Sequence, residues 1–225
     1  SVEPTLRFED ADAIAAEIPN VRRVSREQSA FDIDVQARDK TATTSIWGIS
    51  AEWMEIRGDD VTVGRGISPE DVETLARVAV IGEDLVRELF PDEDPIGKTI
   101  RIAEVPFTVQ GVLVPRGAGP GGSSLDNLLL MPVSTASKRL FNRDYLTTIT
   151  VQLEDPDQYE PAVAAITALL RERHGIVPPV EDNFTVSNPR AAMEQVEEVD
   201  TTLSSVLVGI AVIATLIGGV VIMSL

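Results

Sequence analysis

The stretch VAVIGEDLVRELFPDEDPIGKTIRIAEVPFTVQGVLV, residues 78–114, changes its hydropathic period twice along its length. It opens on Val78, Ala79, Val80 and Ile81, an apolar run too short for a helix and bounded by Gly82, which reads as a buried strand. Residues 83–90 then repeat at helical spacing, with Leu85, Val86, Leu89 and Phe90 on one face, and Pro91 stops them. Residues 99–102 and 107–114 alternate as a hairpin-like pair. A strand, a helix and a hairpin in so short a span predict helices and strands packed together.

The flanks extend the same pattern. Residues 8–18 begin with Glu9, Asp10 and Asp12 and carry Ala13, Ile14 and Ile18 on one side, an amphipathic helix whose acids suit its dipole, stopped by Pro19 and Asn20. Residues 21–24, residues 30–37, with Phe31, Ile33 and Val35 alternating against Asp32 and Asp34, and residues 43–49 predict strands. Ser68 is placed as an N-cap, with Pro69 at the first helical position and Glu70 and Asp71 beside the exposed amides. Residues 116–124 are a loop by their glycine content, 128–133 a strand, and Ser134 is expected to cap a short helix ending near Phe141 and Asn142. Residues 147–153 form another strand. Asp155, Pro156 and Asp157 open a longer helix to His174, with Ala162, Val163, Ile166, Leu169 and Leu170 as its apolar face and Gly175 as its stop. Residues 184–186 read as a short strand.

From Asn188 and Pro189 a further helix is expected, in which Met193, Val196 and Val199 recur every three residues while Glu194, Glu197 and Glu198 face water. It runs without a break into residues 203–225, LSSVLVGIAVIATLIGGVVIMSL, a stretch with no charge. At the helical rise this is about 35 Å, enough to cross a hydrocarbon core of about 30 Å with some tilt. A transmembrane helix is therefore expected, continuous with a stalk helix and truncated at the last residue. The absence of an initiator Met at Ser1 likewise suggests a fragment. Ser205 with Gly209, and Ala214 with Gly218, place small side chains four residues apart, where a neighbouring helix could approach closely.

Charge narrows the function classes. Nineteen basic against 36 acidic side chains give a net charge of −17, which repels nucleic acid and the anionic face of a bilayer. Lysine occurs only at 40, 98 and 138, and an acidic, lysine-poor surface fits a halophile as well as an acidic protein from a GC-rich organism. With no cysteine there are no disulfides, and one histidine leaves no His-rich metal site. Gly97-Lys98-Thr99 lacks the upstream glycine of a phosphate loop, since position 92 is Asp92 in an acidic run, so it reads as a turn entering a strand. That run, Asp92 to Asp94, does not supply a complete oxygen cage for calcium. His174 sits at a helix C-terminus, where its charge suits the dipole, and no nucleophile-elbow pattern accompanies it. No enzyme activity and no cofactor are expected.

Several stretches together resemble the MacB-like ABC-exporter permease family, within the FtsX-like superfamily: VAVIG at 78–82 followed by Leu89 and Phe90, DPIGKTI at 94–100, FTVQGVL at 107–113, MPVST at 131–135, LRERH at 170–174, Asp182 to Phe184, and IGGVVIM at 217–223. The resemblance spans essentially the whole chain and implies an α+β fold. A porter-like βαβ-type subdomain (1–51 and 145–188) would carry an inserted smaller α/β subdomain (52–144), followed by the stalk helix (189–202) and the start of a transmembrane helix (203–225). It also implies a soluble domain on the extracytoplasmic side of the cell membrane, a separate cytoplasmic ATP-binding subunit, and permeases paired as a homodimer or heterodimer. The stripe Met193, Val196 and Val199 is then the place for contact with a partner stalk. In double-membraned bacteria an adaptor protein and an outer-membrane channel would join; in a single-membraned halophile they would be missing. The expected function is transmission of ATP-driven motion for export or extraction of a substrate. Two other readings stand beside it, an FtsX-type ectodomain that activates an extracytoplasmic partner, and a membrane-tethered hydrolase built around His174.

Overall fold

The computed structural model describes residues 5–119, 122 and 124–187. The residues named for the stalk and for membrane packing, Met193, Val196, Val199, Ser205, Gly209, Ala214 and Gly218, lie outside them. Among the described residues no helix is long and apolar enough to cross a membrane.

One strand organises the sheet. β1 (Val21–Ala37) is 17 residues long, where its sequence suggests two shorter strands separated by Ser25 to Ser29. That polar interval stays extended because β8 pairs Ser25 to Glu27 on one edge and β2 pairs Glu27 to Ser29 on the other. β2 (Lys40–Ile49) runs antiparallel along one edge from Glu27↔Ile49 to Ala37↔Lys40. β8 (Thr148–Leu153) runs along the other from Val21↔Leu153 to Glu27↔Thr148. Beyond β8, the same edge meets β5 (Thr99–Ile102) at Val35 and Gln36.

The remaining pairings close a ring. β2 is parallel to β7 (Leu128–Pro132), β7 antiparallel to β4 (Val78–Ile81), β4 parallel to β6 (Val105–Leu113), and β6 antiparallel to β5, which returns to β1. β3 (Val61–Gly64) adds to β6 outside the ring. β1 and β2, from within residues 1–51, and β4 to β7, from within residues 52–144, thus share one closed sheet, which leaves these strands no common free edge.

Alternation along the strands divides the core in two. Val35, Ile46, Ala79, Ile81, Ile100, Ile102, Phe107, Val109, Leu129 and Met131, drawn from all the ring strands, pack with Leu85 and Leu89 of α4 (Glu83–Leu89) and with Phe90, its C-cap. Their neighbours Val80 and Leu130 point the other way, onto Ile49, Ile67, Leu113 and Trp53 of α2 (Glu52–Arg57). Each fully buried Leu, Ile or Phe contributes roughly 2 kcal/mol of transfer free energy, so the ring core is the main source of stability. Gly82, between β4 and α4, is demanded by space: a Cβ there would stand 2.0 Å from the Asp126 carbonyl oxygen.

α3 (Pro69–Glu73) starts as its sequence predicts, with Ser68 Oγ accepting from the Asp71 amide and the Asp71 carboxylate accepting from the Ser68 amide at 2.9 Å. Burial pushes the Asp71 carboxyl up, but the two-pronged Arg65 guanidinium at 2.6 and 2.9 Å, the Ser68 amide and Gln110 outweigh it and hold it well below the usual carboxylate range. Ser134 does not cap a helix. Pro132 precedes a single turn, α5 (Val133–Thr135), which widens into a π-turn (Ala136–Phe141), while the Ser134 hydroxyl donates to the Val72 carbonyl of α3. The long helix expected from residue 155 starts with a 3-10 turn (Pro156–Gln158) and becomes α6 (Tyr159–Arg173), with Gly175 in the left-handed region at φ 65°. Residues 184–186 form no strand; the Phe184 ring instead meets His174 edge-on at 5.8 Å.

Phe107, 1% exposed at the centre of the ring, provides the test of this core. Phe107→Ala is expected to lower the unfolding free energy by about 4 kcal/mol in urea titration, with the slope unchanged.

Candidate functional site

The polar residues that bind distant segments most densely lie where α1 (Phe8–Glu17) meets α6. The first turn of α1 leaves its amides without helical partners, and the Asp10 carboxylate answers one of them, accepting from the Arg7 amide at 2.8 Å. The last turn of α6 presents carbonyls and carries Arg171, Arg173 and the C-cap His174. The two helix ends carry opposite partial charges, and Asp10 joins them. Its Oδ1 accepts from Arg173 Nε at 2.7 Å and its Oδ2 faces His174 Nε2 at 3.0 Å. The Asp10 and His174 side chains are 3% and 8% exposed, so water screens this contact little.

His174 carries the contact onward. Its Nδ1 faces Asn183 Oδ1 at 2.8 Å, and the Asn183 carbonyl accepts from Thr5 Oγ1 at 2.8 Å. Arg171 grips Asp182 with two parallel bonds at 2.7 and 2.8 Å. On the other side the Leu6 carbonyl accepts from the Leu146 amide at 2.8 Å and Arg7 pairs with Asp144 at 3.0 Å. Residues 5–10, 144–146 and 171–184 are thereby fastened into one knot.

Burial pushes the Asp10 carboxyl up, but the bonds from His174, Arg173 and the Arg7 amide outweigh it and leave it below its ordinary value. The stability this confers is complete above the pKa of an unfolded aspartate and is lost as pH falls through the lowered folded value.

With Asp10 and Asn183 occupying both ring nitrogens, His174 has none left to take a proton from a serine hydroxyl. The knot is suited to holding segments together. Elsewhere, Lys98 is paired with Glu93 at 3.0 Å and Gly97 turns at φ 77° into β5, as a turn and not a phosphate cradle. Asp94 Oδ1 accepts from the Ile96 amide at 2.9 Å, and among the described residues no group of His, Asp and Glu is placed to hold a metal ion.

None of the side chains singled out from sequence for partner or membrane contact falls within the described residues. The knot contains His174 and two of the stretches that carried the family resemblance, 170–174 and 182–184. Asp10 reads from sequence only as a helix-dipole acid, because Arg173 is 163 positions away. The one local signal is the clustering of Arg171, Arg173 and His174 at a helix end, more cations than a dipole needs.

Residues 1–169 match the family model described as the MacB-like periplasmic core domain. The chain belongs to this family. A macrolide export ATP-binding/permease protein MacB of Azoarcus sp. (strain BH72) is 34% identical over 226 residues, covering 98% of this chain and 33% of the relative. The protein of the same name in Rhodospirillum rubrum is 33% identical, covering 100% and 33%. This chain spans about a third of the length of the curated relatives it matches. The periplasmic region of MacB from Actinobacillus actinomycetemcomitans shares the fold at a TM-score of 0.73 and 24% identity, over 86% of this chain and 84% of that one. The extracellular domain of YknZ, a noncanonic ABC-type transporter from Gram-positive bacteria, does so at 0.69 and 20%, over 81% and 89%. The mixed helix-and-strand architecture of the periplasmic core family is thus that of the ring and its two terminal helices.

Asp10→Asn keeps the size of the side chain and removes its charge. It is expected to cost about 3 kcal/mol at neutral pH, by leaving Arg173 and His174 without their partner. In unfolding curves taken across acid pH it should also flatten part of the acid limb, the remainder being shared by Asp71, Asp84, Glu93 and Asp182, whose carboxyls are likewise held below their ordinary values.

Proposed function

We propose that this chain is the extracytoplasmic core of an ABC-transporter permease, which carries ATP-driven motion of a separate cytoplasmic ATPase across the membrane for export or extraction of a substrate. The observation that carries this reading is the knot. Segments 5–10 and 171–184 are fastened to each other chiefly through one buried carboxylate, with Thr5 bonded to Asn183 beside it, so a displacement delivered at either is shared by α1 and α6 and passes into β1 and β8. Membership of the MacB-like family supports the placement outside the cytoplasm. The names of the full-length relatives, which join ATP-binding and permease functions, support the coupling to ATP.

In this reading residues 1–51 and 145–188 form the porter-like part, 52–144 the insert, 189–202 a stalk helix and 203–225 the start of a membrane-spanning helix. Two permeases pair through Met193, Val196 and Val199, and Ser205, Gly209, Ala214 and Gly218 let membrane helices approach closely. An adaptor protein belongs to the assembly only where a second membrane is present. The net charge of −17 suits a protein working in strong salt.

The reading is tested with the full permease and its ATPase in proteoliposomes. Asp10→Asn is expected to cut substrate-stimulated ATP hydrolysis several-fold while the unstimulated rate persists; equal stimulation would remove the knot from the coupling path. Stimulation by an extracytoplasmic protein and not by small amphiphiles would replace export with the FtsX-type regulatory reading.

This chain has no cysteine, so a single substitution introduces its one thiol. Val196→Cys is expected to form a disulfide between paired permeases under mild oxidation, and Glu197→Cys, on the water-facing side, is expected to form far less.

A further inference from the structure

Where β1 leaves β8 and enters the ring, at the residue that pairs with both Ile49 and Thr148, stands a glutamate, Glu27. It is 3% exposed, and its Oε1 is buried without a hydrogen-bond partner. Beside it lies a second orphan, the indole Nε1 of Trp53, from a residue 2% exposed on α2. Ser25 and Ser50, both buried, complete a polar pocket under the helix, with their hydroxyls 3.3 Å apart.

We propose that Glu27 is a proton-operated latch for α2: with a neutral carboxyl it seats Trp53 in the joint between β1 and β8, and with a charged one it releases that contact. Burial favours the neutral group: a carboxylate with one unpartnered buried oxygen is the costlier occupant, and this outweighs the pull of the indole N–H, which by itself favours the charge.

The groups that face it come from each element packed on the joint. Thr150 on β8, Trp53 on α2 and Ser25 on β1 itself each offer a donor, and the charged group is Arg57 on α2. Arg57 lies over the Trp53 ring at 4.7 Å and is half exposed, with Asp59 beside it at 3.4 Å, so its charge is largely spent elsewhere. Arg23 on β1 and Glu55 on α2 pair with each other at 2.6 Å. Burial accordingly outweighs these donors and Arg57, and pushes the Glu27 carboxyl above its ordinary value. For an acid shifted in this direction the folded chain keeps a proton that the unfolded chain has lost. The contribution is therefore greatest below the ordinary glutamate pKa and declines as pH rises through the raised one.

Trp47 and Trp53 are the two tryptophans, so Trp53 reports alone in a Trp47→Phe background. With the full chain in detergent, the emission of Trp53 is expected to shift reversibly to the red as pH rises above the range in which a free glutamate titrates, as one titrating group. Adding Glu27→Gln is expected to hold it at the low-pH position throughout. A wild-type emission that ignores pH, or the same shift in Glu27→Gln, would overturn the proposal. Should Glu27→Gln fail to fold, the carbon-13 shift of the Glu27 carboxyl in the unmodified chain decides: a midpoint clearly above that of a free glutamate supports the latch, and an ordinary midpoint removes it.

Discussion

Asp10 has left water almost completely, and a carboxylate in that position survives only because donors from separate parts of the chain converge on it. The Arg7 amide is fixed by the start of α1, while Arg173 and His174 are fixed by the end of α6. The helices have 10 and 15 residues, and neither would hold its terminal turn rigidly alone. Joined through one carboxylate, they become a common base for β1 and β8, and the segments at 5–10 and 171–184 are bound to the same point.

From that base β1 climbs into the ring. Its lower part is paired with β8 and its upper part with β2 and β5, so one strand belongs to both halves of the sheet. Such a strand transmits displacement better than a loop, because bending it would break the ladder bonds that hold it on one edge or the other along most of its length. The polar residues of its middle, Ser25, Glu27 and Gln28, are buried at the crossing. Gln28 spends its amide on the Arg143 and Tyr145 carbonyls, tying in the segment that leads to β8. Glu27 has no comparable partner, which is why it stands out as a group whose protonation matters.

Much of this was legible from residue patterns. The strand at 78–81, the helix at 83–89, the hairpin at 99–113 and the Ser68 cap are all local: alternation, helical spacing and turn residues decide them within a few positions. What escaped was decided at a distance. The interval 25–29 has no strand-like alternation and is extended because two neighbours pair with it. α2 and β3 are too short to show a period, and exist because Trp53 and Met54 are needed on the outer face of the ring and β6 has an edge to fill. Ser134 lies inside the turn that Pro132 opens, past the capping position, and its hydroxyl donates to a carbonyl of α3 instead. The site divided the same way: the cationic end of α6 was visible, and the aspartate it holds was not.

The most direct test is mechanical. With the chain held in an optical trap through handles at residues 5 and 184, the wild type is expected to release these segments at a distinctly higher force than Asp10→Asn. Equal forces would mean that the two ends are held by something other than the buried carboxylate, and that the knot is not the element through which motion enters the fold.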